Sequence, residues 1–182
     1  MTIVATGGQE TRAHPWFDLP GVISQQELEA KLIHHPADIA ALRDVVMLQC
    51  VRPAGLPEYC SRVCCTNTMK IAIRLKLFNQ ACRVTVLYKN IVTYGFREAY
   101  YTEARRHGVV FVRYTDEAPP VISLAGDRLA VQVRDLTLNR PLELPADLVS
   151  MSMAIAPADG TPALARTLRV PLSSEGFFED AQ

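Results

Sequence analysis

The stretch "DVVMLQCVRPAGLPEYCSRVCCTNTMKIAIRLKLFN", residues 44–79, determines which fold this chain can adopt. Residues 44–50 are apolar almost throughout, which predicts a buried strand that ends at Cys50. Residues 64–79 carry apolar side chains at a spacing that favours a helix, although the isoleucines and the partial alternation are also compatible with a strand. A strand, a loop and a helix in this order begin a βαβ unit.

The flanking segments continue this alternation of strands and helices. A helix is predicted at residues 24–33, because Ser24 and Glu27 have the spacing of a capping box. The later pattern predicts a strand, a helix, a strand and an antiparallel meander, at residues 83–91, 96–108, 109–114 and 119–153. Residues 1–8 are predicted to be a short apolar strand. This order favours an α/β fold, with a parallel sheet, helices on its faces and a small antiparallel excursion.

Composition places the chain among ordinary globular proteins. It has 182 residues, of which 49% are hydrophobic, and a formal net charge of zero. These values predict one domain of ordinary size and do not indicate a nucleic-acid-binding surface. No apolar run reaches the roughly 20 residues that a transmembrane helix needs. The N-terminus lacks the pattern of a secretory signal, so we expect a cytoplasmic protein.

Four of the five cysteines lie between positions 50 and 65, in the pattern C-x9-C-x3-C-C. The odd number argues against a secreted disulfide framework. Cys50 ends the predicted strand, whereas Cys60, Cys64 and Cys65 lie at the start of the predicted helix. Because strand ends and helix starts meet at one edge of a parallel sheet, four sulfurs are expected to converge there. The positive end of the helix dipole would favour thiolates at this edge.

Several uses of these thiols are compatible with the spacing. A [4Fe-4S] cluster uses four thiolates and tolerates irregular spacing, so it is the favoured interpretation. Structural zinc usually requires two separated C-x2-4-C knuckles, and thiol redox chemistry usually uses C-x-x-C. Four cysteines in one loop are poorly explained as small buried hydrophobic residues. The loop also lacks the G-x-G-x-x-G pattern, which argues against a nicotinamide nucleotide at this turn.

Two longer stretches resemble a known family. The segments "YCSRVCCTNTMKIAIRLK" (residues 59–76) and "VTVLYKNIVTYGFREAYYTEARRHGVVFVRY" (residues 84–114) are similar to the central part of the A-subunit of heterodisulfide reductase and its relatives. The resemblance runs from about Ile3 to Phe178. It implies a thioredoxin-reductase-like flavoprotein fold, of the pyridine-nucleotide-disulfide-oxidoreductase type, in which a cysteine-bearing domain is inserted into an FAD domain.

This resemblance implies specific roles for individual residues. It makes Cys50, Cys60, Cys64 and Cys65 the ligands of one [4Fe-4S] cluster. Two neighbours in the motif, Tyr59 and Arg62, are expected to shield the cluster or to tune its potential. The segment that contains Thr6, Gly7 and Gly8 resembles the one that closes the first half of the FAD domain, so these residues are candidates for FAD contacts.

The resemblance also implies a domain organisation. Residues 1–22 and 151–182 are expected to be segments of the FAD domain, and residues 23–150 to form the cysteine-bearing domain. The glycine-rich FAD-binding half would precede Met1 and is missing, so FAD is expected only with a complementing half. Met153 and Ala154 stand where relatives tend to have Thr and Gly, which further weakens the case for flavin contact.

The sequence therefore predicts an electron-transfer domain that is not catalytic alone. The expected partners are a flavin-binding half, other subunits of a heterodisulfide reductase-like complex, and ferredoxin-like electron carriers. Two alternatives remain open at this point. One is a zinc-binding or metal-free interaction domain, and the other is an FAD-binding fragment completed by another chain.

Overall fold

The computed structural model describes residues 3–51 and 59–179. Helices and strands are numbered in chain order within these ranges. The helices are α1 (Gln25–His34), α2 (Pro36–Ala40), α3 (Cys64–Phe78), α4 (Glu98–Arg106) and α5 (Thr161–Leu168). The strands are β1 (Gly8–Glu10), β2 (Val22–Ser24), β3 (Asp44–Leu48), β4 (Arg83–Tyr88), β5 (Val110–Arg113), β6 (Val121–Ala125), β7 (Arg128–Asp135), β8 (Arg140–Ala146), β9 (Leu148–Met151) and β10 (Ile155–Pro157).

A parallel sheet forms the central layer. Among the described residues it has five strands in the order β2-β9-β3-β4-β5, and every neighbouring pair is parallel. The strand predicted to end at Cys50 is β3, and all of its residues are buried. The segment for which a helix was favoured over a strand is the helix α3. Cys65, Met69 and Ala72 form a buried stripe along α3 at helical spacing.

The helices α1, α2, α3 and α4 cover one face of the parallel sheet, which corrects the expectation of helices on both of its faces. Buried side chains of α1, α2, α3 and α4 share one hydrophobic core with Val45 and Met47 of β3. The crossovers that contain α1, α3 and α4 all move in the same direction along the sheet. Because such crossovers are right-handed, they place their helices on the same side.

The opposite face of the parallel sheet is covered by the antiparallel meander β6-β7-β8. The meander was predicted to continue through residue 153, but Leu148–Met151 leaves it and enters the parallel sheet as β9, between β2 and β3. All residues of β9 are buried. A strand that is covered on both faces belongs in the middle layer, and the meander alone could not cover it.

The predicted strand at residues 1–8 is wrong over the residues that the structure describes. The N-terminal strand is β1, which begins at Gly8 and pairs antiparallel with β10. The helix predicted from the capping box is confirmed as α1, where the Ser24 hydroxyl accepts a hydrogen bond from the backbone N–H of Glu27. In the described part of the chain, no helix is long and apolar enough to cross a membrane.

A charged cluster ties the two sheets together at the N-terminal edge of β3. Asp44 is 5% exposed. Its carboxylate accepts hydrogen bonds from Arg83 Nε at 2.5 Å and from Arg128 Nη2, on β7, at 2.7 Å. Asp147, which precedes β9, accepts the backbone N–H of Asp44 at 2.9 Å and lies 2.8 Å from Arg128. The cluster therefore joins β3 and β4 to the meander.

We expect Asp44→Asn to lower the free energy of unfolding at neutral pH by about 1–2 kcal/mol, because it weakens charge-assisted hydrogen bonds to partly exposed arginines. The hydrogen bond from Arg83 is the main cause that holds the pKa of Asp44 below its usual value of 3.8. A carboxylate with a depressed pKa stabilises the fold above its unfolded-state pKa and loses that contribution as the pH falls through its folded-state pKa. Urea unfolding should therefore show a constant difference between the two proteins above about pH 5 and a shrinking one below about pH 4. A difference that stays the same in acid would contradict this role.

Candidate functional site at the carboxyl end of the parallel sheet

Cys50 lies just beyond the carboxyl end of β3. Its backbone has φ of +60°, the left-handed conformation that non-glycine residues rarely adopt. Such a conformation costs on the order of 1–3 kcal/mol and persists only where the surroundings hold it. The Cys50 thiol donates a hydrogen bond to the carbonyl oxygen of Asn90, with 3.9 Å between the sulfur and the oxygen. Asn90 follows the end of β4, the neighbouring strand.

Cys64 and Cys65 are the first two residues of α3. Cys65 is 2% exposed and begins the stripe of α3 that packs on the sheet. Its thiol donates to the same carbonyl oxygen, that of Asn90, at 3.8 Å. The ends of β3 and β4 and the start of α3 therefore converge on one carbonyl group, which two thiols share.

The adjacent pair in the motif is linked directly. The polar contact with the Cys65 side chain is the main cause that lowers the pKa of Cys64 to about 6, and a hydrogen bond with Ser61 contributes. The same contact, together with burial, raises the pKa of Cys65. The two pKa values therefore shift in opposite directions, down for Cys64 and up for Cys65.

Cys60 is exposed, and it lines a cavity of about 380 Å³ together with Cys50. Lys89 and Arg113 also line this cavity. Lys89 Nζ pairs with a carboxylate oxygen of Asp116 at 2.6 Å, and the Arg113 guanidinium donates to the Lys89 carbonyl at 3.1 Å. Two basic side chains therefore lie beside the two cysteines of the loop.

These contacts connect the four predicted ligands in sequence but do not bring them into one coordination shell. Cys60 lines a cavity with Cys50, the Cys50 and Cys65 thiols donate to the same carbonyl oxygen, and the side chain of Cys65 contacts that of Cys64. Within residues 3–51 and 59–179, no group of three His, Cys, Asp or Glu side chains is arranged to hold a metal ion. The four-thiolate site thus stays a prediction, and residues 52–58 of its loop lie outside the described residues.

The fifth cysteine is separate from this set. Cys82 immediately precedes β4, at the amino end of the parallel strands. The other four cysteines lie at the opposite, carboxyl end. It is 1% exposed and belongs to the core on the helix side. Burial raises the pKa of its thiol to about 11. Cys82 is therefore an inert core thiol.

The two neighbours predicted to support the site have different surroundings. The Tyr59 hydroxyl donates to the backbone carbonyl of Ile155, and its ring meets Phe177 edge-on with the ring centroids 6.0 Å apart. Tyr59 therefore attaches the end of the cysteine loop to β10. Arg62 is exposed, has φ of +60° and takes part in no ion pair within the described part of the chain.

The candidates for flavin contacts lie at the N-terminal strand. Thr6 and Gly7 are exposed, and Gly8 pairs with Pro157 in the two-stranded sheet. A Cβ atom at Gly8 would lie 2.6 Å from Ile155 Cγ2. The close approach of β10 thus accounts for a glycine at position 8, and FAD contact by these residues stays a prediction.

Three polar residues that lie near the cysteines at the carboxyl end of the sheet were not identified from the sequence. Asn90 gave no signal beyond its position two residues after a strand. Gln25 is buried at the start of α1 and donates to the Cys64 carbonyl at 3.3 Å and to the Thr68 hydroxyl. Gln49 is 1% exposed, and no hydrogen-bond partner for either atom of its side-chain amide occurs in the described structure. A polar residue at the end of an apolar strand was the available signal for Gln49.

No family model matches the chain. The curated relatives nonetheless agree in name, since all three described here are named after the heterodisulfide reductase A-subunit. The A-subunit of the ferredoxin:CoB-CoM heterodisulfide reductase of Methanosarcina acetivorans is 35% identical over 140 residues, which cover 75% of this chain and 17% of that protein. A protein of Archaeoglobus profundus that is named as similar to the heterodisulfide reductase A-subunit is 32% identical over 182 residues, covering 98% of this chain and 26% of that protein. The iron-sulfur A-subunit of the CoB–CoM heterodisulfide reductase of Methanocaldococcus jannaschii is 34% identical over 152 residues, which cover 80% of this chain and 23% of that protein.

Solved structures that share this fold include a thioredoxin reductase and a persulfide reductase. Thioredoxin reductase of T. acidophilum superposes with a TM-score of 0.59 at 13% identity, covering 94% of this chain and 49% of that one. An NAD-dependent persulfide reductase of A. fulgidus superposes with a TM-score of 0.54 at 17% identity, and the superposition covers 94% of this chain and 28% of that one. These likenesses confirm the predicted fold class. The chain spans about a quarter or less of these three curated relatives, and by its sequence it belongs to the family of the heterodisulfide reductase A-subunit.

Proposed function

We propose that this chain is an electron-transfer domain of an oxidoreductase that resembles the heterodisulfide reductase A-subunit, and that it holds one [4Fe-4S] cluster. Cys50, Cys60, Cys64 and Cys65 are the proposed ligands. The observation that supports this most directly is the convergence of the Cys50 and Cys65 thiols on the carbonyl oxygen of Asn90. It places one thiol from the strand end beside one from the helix start, as a shared site requires.

The surroundings of these thiols suit an anionic cluster. No side chain caps the N-terminus of α3, and no acidic residue lies in its first turn. The free N–H groups and the helix dipole therefore favour negative charge at this position. When bound, such a cluster supplies storage for one electron at a time, and the protein sets its potential.

The proposal extends to the organisation of the whole protein. Residues 23–150 would form the cluster-bearing domain, and residues 1–22 and 151–182 would be segments of an FAD domain. FAD would then bind near Thr6, Gly7 and Gly8 only when a complementing flavin-binding half is present. The proposed partners are that half, other subunits of a heterodisulfide reductase-like complex and ferredoxin-like carriers, in the cytoplasm. The relatives' names mention ferredoxin, heterodisulfide reductase and an iron-sulfur protein, which is consistent with this assignment.

Anaerobic reconstitution of the full chain with iron and sulfide is the direct test. We expect a brown protein with roughly four iron atoms and four sulfides per chain, and a reduced form with a cluster signal in electron paramagnetic resonance. A colourless, iron-free protein would contradict the proposal. Elemental analysis that finds about one zinc per chain would instead support the interaction-domain alternative. A yellow, flavin-containing preparation would support an FAD-binding fragment.

A further inference from the structure

The amide of Gln49 is an unexplained polar group in the interior of the described structure. Gln49 is 1% exposed, and neither its Nε2 nor its Oε1 has a hydrogen-bond partner among residues 3–51 and 59–179. A buried amide without partners is costly, so buried side-chain amides are nearly always paired in native proteins. Its backbone is fully engaged, because its N–H donates to Leu87 O at 2.8 Å and its carbonyl accepts the Tyr114 hydroxyl at 2.6 Å. Only the side chain lacks a partner.

The strand determines the direction in which this side chain points. Val46 and Leu48 face the meander core, whereas Val45 and Met47 face the helix core. The ladder to β4 continues through the Gln49 N–H, so the alternation of the strand also continues. Gln49 therefore faces the helices, at the carboxyl end of the sheet.

Cys65 occupies the same end of the same interface. It lies one turn before Met69 on the sheet-facing stripe of α3, and both residues are almost completely buried. Its thiol bonds to Asn90, which lies at the end of the strand next to β3. Gln49 thus shares the carboxyl end of the α3–sheet interface with Cys65, and it immediately precedes Cys50.

We infer that Gln49 is a positioning residue whose Nε2 donates a hydrogen bond to a sulfur of the bound cluster. This inference rests on the proposed cluster. Hydrogen bonds to cluster sulfurs stabilise the reduced, more negative state and so raise the reduction potential. The amide lacks a partner among the described residues because its partner belongs to the bound group. The amide of Gln49 therefore serves the bound cluster, and it lowers the stability of the protein when the cluster is absent.

The test uses Gln49→Met, which keeps the length of the side chain and removes the donor. Reconstituted wild-type and variant chains would be titrated for reduction, with the paramagnetic signal of the reduced cluster as the readout. We expect similar iron content and about a tenfold shift of the reduction equilibrium constant toward the oxidised cluster, which is about 59 mV for one electron. Without iron, the variant should melt at the same temperature as the wild type or above it.

Ser150→Ala is the matched control. Ser150 is also buried, its hydroxyl has no hydrogen-bond partner in the described part of the chain, and it lies beside Met47 on the same face of the sheet, deeper in the core. Its loss should leave the potential unchanged. An unchanged potential in Gln49→Met with full iron content would overturn the inference, and so would an equal shift in Ser150→Ala. If Gln49→Met fails to fold, Gln49→Leu replaces it. An iron-free wild-type chain would refute the proposed function itself, which separates that failure from the failure of the inference about Gln49.

Discussion

Cys65→Ala should abolish stable cluster binding while the protein remains folded. Removal of one of four thiolate ligands leaves an open coordination position, and even changes outside the ligand set lower metal affinity by about tenfold or more. Alanine fits the position because Cys65 is a small residue inside a helix and alanine has the best helix propensity. We expect less than about a tenth of the wild-type iron after anaerobic reconstitution and desalting. Iron and sulfide analysis, together with the visible spectrum, checks this expectation.

Cys82→Ala is the matched control for this substitution. Both thiols are almost fully buried, at 2% and 1% exposure, but Cys82 lies at the opposite edge of the parallel sheet. Cys82→Ala should therefore retain the wild-type iron content. Equal iron retention by the two variants would show that Cys65 is not a ligand. Equal loss would instead indicate that any damage to the core prevents reconstitution.

Met69→Ala is expected to destabilise the fold more than Asp44→Asn does. Met69 is 1% exposed and lies one turn after Cys65, where it fixes α3 against the parallel sheet. Truncation of such a side chain loses apolar burial and leaves a cavity, at a cost of about 2–5 kcal/mol. Chemical unfolding should therefore show a large fall in the denaturation midpoint without a change in slope.

The same helix supplies the control for Met69. Leu77 is 61% exposed on α3, so Leu77→Ala should change the free energy of unfolding by no more than about 0.5 kcal/mol. Similar losses for both variants would mean that α3 is not held by its sheet-facing stripe. Because Cys65 belongs to that stripe, Met69→Ala should also weaken cluster retention more than Leu77→Ala does.

Local sequence signals were sufficient to predict the elements that carry the cysteines. The apolar run of β3 needs no context to be recognised as buried. The capping box at Ser24 locates the start of α1 because its hydrogen bonds involve residues only three positions apart. The helical interpretation of α3 was correct over the alternative strand, because the segment is 15 residues long, longer than most strands, and its buried side chains recur at helical spacing between Cys65 and Leu75.

Long-range pairing was beyond these signals. Residues 148–151 alternate like the end of a meander, yet they form the strand between β2 and β3. Their position in the sheet depends on which two strands leave room for another strand between them. These two strands, β2 and β3, come from the first third of the chain. The predicted strand at residues 1–8 failed for a related reason, since pairing with β10 determines where β1 begins.

The family, the α/β class and the four thiols of the C-x9-C-x3-C-C motif could be predicted from the residues alone, because these depend on residue type and local spacing. The groups that meet those thiols became apparent only in three dimensions. The fold brings the carbonyl of Asn90 to Cys50 and Cys65, holds Cys50 in a left-handed conformation and leaves the amide of Gln49 buried without a partner among the described residues. These features arise where the ends of β3 and β4 meet the start of α3. Such contacts depend on how elements pack in space, which the spacing of residues along the chain does not specify.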